Sequence, residues 1–371
     1  MKRARVPGGG RVSPRSGSKP GAILVTGGAG YIGSHVVAML GERDERLVVL
    51  DNLSTGHASA VLHGQLVVGD TGDRVLLDRL MRKFRFETVF HFAASTVVPD
   101  SVARPLACYD NNTARARVLL EACNDHRVGQ FIFSSTAAVY GDPPGGVASE
   151  ATPPAPGNPY GRSKLMTEWM LKDLGMAGGP RSVILRYFNV AGCDTRGRIG
   201  QDTPRATHLI KVAAEHAAGT RQYMEIYGSD YETPDGTCIR DFIHVEDLAE
   251  AHLAALDYLR RGGESLTANC GYGHGYSVRE VVERMSVVSG RRLDVRARPR
   301  RPGDMPRVIA DARLARRVLG WHPVRDDLDL ILGSALAWER RRLEGCTRTA
   351  EAVEVSGPPA VPEAGLEEIV P

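Results

Sequence analysis

Tyr160 and Lys164 stand four residues apart in the segment Tyr160-Gly161-Arg162-Ser163-Lys164. On a helix that spacing puts both side chains on one face. A phenol has an ordinary pKa of ~10 and is a poor base at neutral pH. A neighbouring ammonium stabilises the phenolate, so the pair reads as a general acid–base. Taken alone, Tyr and Lys at this spacing are most often structural. The reading gains weight from Ser134, Ser135 and Thr136, which end an apolar run starting at Gln130 and offer hydroxyls at the same sheet edge.

A second constellation lies near the start. Gly27, Gly30 and Gly33 follow the apolar run Ala22 to Thr26 and open a stretch with helical spacing, which includes Tyr31 and Ile32. Without side chains the backbone can turn tightly and bring N–H groups close to a pyrophosphate, at a helix N-terminus that favours negative charge. Asp51 ends the next apolar run, about twenty residues on, where a carboxylate accepts from ribose hydroxyls. That acid would repel a 2′-phosphate, so the expected cofactor is NAD rather than NADP. Asp70, after the third run, is placed to meet the adenine edge.

The elements that must position these residues alternate. Leu47–Leu50, Gln65–Val68, Thr88–Phe92, Gln130–Phe133 and Ser182–Leu185 read as further buried strands, separated by helical stretches. This order implies an α/β fold: a Rossmann-type doubly wound parallel sheet with helices on both faces. The second half, with Gly and Pro clusters at 228–236, 262–275 and 298–306, reads as a smaller C-terminal mixed α/β substrate domain closing over the strand ends. The expected boundaries are 21–190 for the nucleotide domain, with a return segment near 237–260. Residues 191–236 and 261–342 form the substrate domain, between a disordered basic leader (1–20) and a disordered tail (343–371).

Composition narrows the class. The 371 residues are 42% hydrophobic and 25% charged, ordinary for a globular enzyme and unlike a disordered chain. No run approaches the ~20 apolar residues of a membrane span, and the leader lacks the apolar stretch of a secretory signal. A net charge of +3 is too mild for a nucleic-acid surface. Six cysteines, none in a C-x-x-C motif or with a His at metal-ligand spacing, read as buried free thiols in a reducing cytoplasm, with no metal site.

The motifs resemble a known family when taken together. They are Thr26–His35 (TGGAGYIGSH), Asp51–Gly56 (DNLSTG), Ser134–Gly141 (SSTAAVYG), Asn158–Lys164 (NPYGRSK), Arg186–Asn189 (RYFN), Asp235–Asp241 (DGTCIRD) and Arg301–Asp304 (RPGD). They are similar to the UDP-glucose 4-epimerases of the extended short-chain dehydrogenase/reductase superfamily over about residues 21 to 340. The first and third motifs mark the superfamily; Asp235 to Asp247 is more specific to the epimerases.

The resemblance implies a redox-neutral cycle on UDP-galactose and UDP-glucose. Tyr160 would take the 4-hydroxyl proton while hydride passes from C4 to tightly held NAD. The 4-keto sugar would turn over and receive the hydride on its other face. Lys164 would hold the nicotinamide ribose, and Thr136 would hydrogen-bond the sugar oxygen. Cofactor contacts are implied at Asn52, Ser54, Thr55, Gly56, Phe92, Ala93, Ala94 and Tyr187. Arg240 and Arg301 would take the diphosphate and Asp304 the uridine ribose, with Phe188, Asn189, His208, Leu209 and Tyr227 lining the cleft. Asn111 would contact the diphosphate or brace the cofactor, ahead of Asn112. A homodimer is implied, through helices near Ala116–Ala122 and Leu165–Leu174.

Three departures stand out. Thr136 replaces the more frequent Ser, keeping the oxygen and adding a methyl that restricts its rotamer. The Lys that some members carry beyond the fourth strand is absent from Phe92-Ala93-Ala94-Ser95-Thr96. Val308 stands where some members have a bulky Tyr, which leaves room for a 2-acetamido group. A 4,6-dehydratase would need carboxylates after Thr136, where Ala137 and Ala138 stand. Epimerisation of another UDP-sugar (UDP-N-acetylglucosamine, a UDP-pentose or a UDP-uronic acid) and a silent NAD-sensing protein are the remaining alternatives.

Overall fold

The computed structural model describes residues 21–203, 206–301 and 303–356, with side chains to residue 344. Five strands carry the site: β1 (Ala22–Thr26), β2 (Leu47–Asp51), β3 (Gln65–Val68), β4 (Phe86–His91) and β5 (Gln130–Thr136). With Arg181–Tyr187 and Leu266–Cys270 they form a seven-stranded sheet in the order Leu266–Cys270, Arg181–Tyr187, β5, β4, β1, β2, β3. Every pairing within it is parallel. The order reverses between β1 and β4, and ligands of such sheets bind at that switch, outside the carboxyl ends of the strands.

Alternation along β1 shows how the layers are built. Ile23 and Val25 pack into one core cluster with Val36, Val37 and Leu40 of helix α1 (Tyr31–Glu42) and with Leu248 and Leu256. Ala22 and Leu24 face the other way, onto Leu77, Leu80 and Leu119. A strand that buries both faces must be apolar throughout, and this one is.

The boundary expected at residue 261 needs correction. Leu266–Cys270 pairs with Arg181–Tyr187 and so completes the nucleotide-domain sheet. The helix Val245–Arg260 carries the chain to that edge, as a parallel crossover requires. The second lobe is mixed, as expected: a four-stranded sheet in the order Tyr276–Ser277, Ile239–Arg240, Arg307–Ala310, Val147–Ala148. The expected tail is also corrected at its start, since the last helix runs from Leu328 to Ser356. No Pro stands within it, and the next one in sequence is Pro358. The leader and the rest of the tail lie outside the described residues. Among the described residues, no helix is long and apolar enough to cross a membrane.

Candidate active site

The glycine loop joins β1 to α1 at the switch point. Gly27 has φ +72°, and a Cβ there would lie 2.4 Å from the Ala93 backbone nitrogen of the loop after β4. Gly33 would place its Cβ 2.3 Å from the Gly27 carbonyl oxygen. Both positions exclude any side chain. Gly30 precedes α1 and gives it no side-chain cap, so the first-turn N–H groups remain available to an anion.

Asp51, at the end of β2, is buried beside this loop. Its carboxylate accepts from the Ala29 N–H at 2.9 Å and from the Leu53 N–H at 2.8 Å. The segment that follows folds back over the loop: His57 N–H donates to the Ala29 carbonyl, and Gly56 packs on Ala29 and Gly30. Asn52 Nδ2 reaches Asp70 Oδ2 at 3.0 Å, and Arg115 also pairs with Asp70. Asn52 also accepts from the Ser54 N–H at 3.1 Å. The cradle therefore fits a dinucleotide: bare backbone donors at a helix start, flanked by the Asp51 carboxylate.

The Tyr160–Lys164 pair is set by β5 and the helix Pro159–Met176. Asn158 starts that helix by accepting from the Gly161 N–H, with Pro159 in the first turn. Tyr160 and Lys164 then face the tip of β5. Lys164 Nζ donates to the Ser134 carbonyl at 2.9 Å and lies 4.9 Å from the Phe133 ring centre. Thr136 Oγ1 accepts from the Ala138 N–H at 3.1 Å, which leaves its own proton free toward the nearby Tyr160 phenol. Burial pushes Tyr160 up to about 12, and the Thr136 bond pulls the other way. Burial lowers Lys164 to about 7, opposed by the Cys108 thiol and Glu168. Tyr187 pairs in register with Thr136, and its hydroxyl meets that of Ser134.

Several participants escaped sequence reasoning. Asn112, rather than Asn111, is the buried member of its pair: it accepts from the Ser95 N–H at 2.7 Å and donates to Ser163 Oγ at 3.0 Å. Asn111 Nδ2 reaches Ser95 Oγ at 3.1 Å, just after the loop Phe92–Ala94. Both sit in a one-turn π-helix, Asp110–Ala114, a feature that recurs at functional sites. His91, at the end of β4, joins Thr26 Oγ1 to its Nδ1 at 2.7 Å and stacks on Phe133. None of these carries a motif legible in one sequence.

The second lobe brings the expected nucleotide contacts together in two groups. Arg240 lies 3.7 Å from Asp304 and stands beside Val308 in the parallel register. Arg301 lies over the Tyr227 ring at 3.8 Å, and the Tyr227 hydroxyl donates to Glu225. Asn189 donates to the Asp241 carbonyl, next to Arg240, and Phe188 is buried. His208 is exposed at the start of the helix Leu209–Ala218, with Gln201 Nε2 3.0 Å from its Nδ1. Val308 is only 4% exposed and packs in the larger core cluster.

Comparison with known proteins bears on this arrangement. Residues 23–271 match the model of the NAD dependent epimerase/dehydratase family. A UDP-glucose 4-epimerase of Azospirillum brasilense is 56% identical over 319 residues, covering 86% of this chain and 92% of that protein. The crystal structure of UDP-glucose 4-epimerase from Brucella ovis in complex with NAD is 46% identical, with a TM-score of 0.84, over 86% of this chain and 98% of that one. The UDP-Glc/GlcNAc 4-epimerase of Campylobacter jejuni is 49% identical, with a TM-score of 0.76, over 86% and 99%. The glycine cradle, the β5 tip and the Tyr160–Lys164 helix thus lie on a shared frame, and the chain belongs to the NAD dependent epimerase/dehydratase family, among the UDP-glucose 4-epimerases.

Proposed function

We propose that this protein interconverts UDP-galactose and UDP-glucose by inverting C4 of the sugar, with retained NAD. The observation that carries the reading is the convergence of Tyr160, Thr136 and Lys164 at the tip of β5, two strands from the glycine cradle after β1. NAD, when bound, supplies a reversible acceptor for the C4 hydrogen. The first-turn N–H groups of α1 would hold its diphosphate, Asp51 its adenine ribose, and Lys164 and Tyr160 its nicotinamide ribose.

The protein's own groups then do the proton work. Thr136 donates to the Tyr160 phenol, and Lys164 adds positive charge from the same helix face; both favour the phenolate. Tyr160 takes the sugar 4-hydroxyl proton and returns it to the same oxygen after inversion. Arg240 and Arg301 supply guanidiniums for the diphosphate, and Asp304 a carboxylate for the uridine ribose. These contacts anchor the nucleotide while the sugar turns about its phosphate linkage.

A second substrate class, the 2-acetamido sugars, would rest on the small side chain of Val308, which neighbours Arg240 in register but packs in the core. We further propose a homodimer, supported by the exposed Met166 and Trp169 at i and i+3 on the Pro159–Met176 helix. Among the described residues five cysteines are buried and free, which supports residence in the reducing cytoplasm. The test of the main reading is a proton NMR time course with UDP-galactose and no added NAD. Growth of the UDP-glucose anomeric signal supports it, and an unchanged spectrum even with NAD added defeats it.

A further inference from the structure

Three consecutive residues at the tip of β5 are each tied to the same helix. The Ser134 carbonyl takes the Lys164 ammonium, the Ser135 hydroxyl donates to Glu168 Oε1 at 2.5 Å, and the Thr136 hydroxyl is near enough to the Tyr160 phenol to pull its pKa down. Tyr160, Lys164 and Glu168 recur at intervals of four and so form one stripe. The chemistry already explains the first two. It does not explain the third.

Glu168 is fully buried, and its carboxylate is held by the equally buried Arg186. Arg186 Nε donates to Oε1 at 2.9 Å and Nη2 to Oε2, while the guanidinium lies 4.8 Å from the Tyr140 ring centre. A buried ion pair is weak evidence for stability, because apolar residues of similar volume usually serve as well. What distinguishes this pair is its placement. Ser135 and Arg186 are partners in the parallel register of β5 and Arg181–Tyr187, so one carboxylate joins two adjacent strands to the helix that carries Tyr160. Arg186 also precedes Tyr187, whose hydroxyl meets Ser134.

We propose that Glu168 is a positioning residue of the reaction: with Ser135 and Arg186 it fixes the Pro159–Met176 helix against the tip of β5 and so sets the spacing of the Tyr160 and Thr136 hydroxyls. The inference rests on the 4-epimerase reading. Without the clamp the helix can shift along the strand ends, and both the Tyr160–Thr136 and Lys164–Ser134 contacts loosen together. The ground-state nucleotide contacts lie in the other lobe and are untouched. The clamp therefore acts on kcat and spares KM.

The experiment compares wild type, Ser135→Ala and Glu168→Gln, each purified with its NAD content and thermal midpoint measured. Ser135→Ala leaves the ion pair in place and keeps the fold. We expect it to lower kcat per NAD-loaded protein about tenfold with KM for UDP-galactose unchanged, since small misplacements of reacting groups cost up to ~100-fold. Glu168→Gln is expected to lower kcat further. A fallen midpoint with kcat per loaded protein within about twofold of wild type in both variants would make the clamp merely structural and overturn the proposal. If Glu168→Gln does not fold, Ser135→Ala decides alone. A wild type inert on UDP-sugars defeats the underlying reading, and the inference falls with it.

Discussion

The Lys164 ammonium nitrogen lies 2.9 Å from the carbonyl oxygen of Ser134, two residues before the Thr136 hydroxyl. A single strand end thus meets the helix face that carries both Lys164 and Tyr160. Burial opposes both: it raises Tyr160 and lowers Lys164. The site works against that penalty with specific contacts.

Tyr160→Phe removes the proton carrier and little else. We expect kcat to fall by at least ~100-fold, the lower range for loss of a positioned acid–base. KM should change less than about threefold, and NAD should stay with the protein. Steady-state kinetics and cofactor release on denaturation check both.

Thr136→Val keeps the shape and deletes the hydroxyl. It should lower kcat by ~10- to 100-fold through loss of one hydrogen bond to the developing phenolate. Thr136→Ser should recover most of the activity, because the oxygen and not the methyl does the work.

Lys164→Met should lower kcat and flatten its pH profile near 7. Burial lowers Lys164 to about 7, so the charge it lends the site is present below that pH and lost above it. A variant profile that keeps the wild-type change near pH 7 would contradict this.

His35, His91 and His252 are buried, and burial depresses them to about 4, 3 and 4. Their folded values lie below the unfolded value near 6.5, so the unfolded chain binds more protons between about pH 4 and 6.5. Their contribution is present above that window and is lost as pH falls through it, by roughly 3 kcal/mol for a single such group. The thermal midpoint should therefore drop between pH 7 and pH 4, and His91→Phe should flatten the drop. A midpoint independent of pH over that range would refute it.

Val308→Tyr should suppress turnover of UDP-N-acetylglucosamine while sparing UDP-galactose. Because Val308 is packed in the core, the thermal midpoint is measured alongside. Equal loss on both substrates would show overpacking instead of selectivity.

Much of this site was legible because its demands fall on residue type and short spacing. Only glycine fits at Gly27 and Gly33, and only a helix brings Tyr160 and Lys164 to one face. The parallel sheet with helices on both faces followed from the alternation of apolar runs and helical stretches, while the order of its strands did not. What stayed hidden depends on tertiary contact. Nothing near Glu168 in sequence reveals Arg186 and Ser135, because the clamp is made across two strands. The edge strand Leu266–Cys270 is short and follows a Gly-rich turn, so its membership in the main sheet required its partner. Asn112 looks identical to Asn111 until the π-turn buries one of them.

The most direct test of the central claim uses UDP-galactose deuterated at C4, with purified protein and no added NAD. If hydrogen leaves and returns to C4 within one site, the UDP-glucose formed retains the deuterium at C4 with none lost to water. Loss of the label to solvent, or no UDP-glucose at all, would contradict the account.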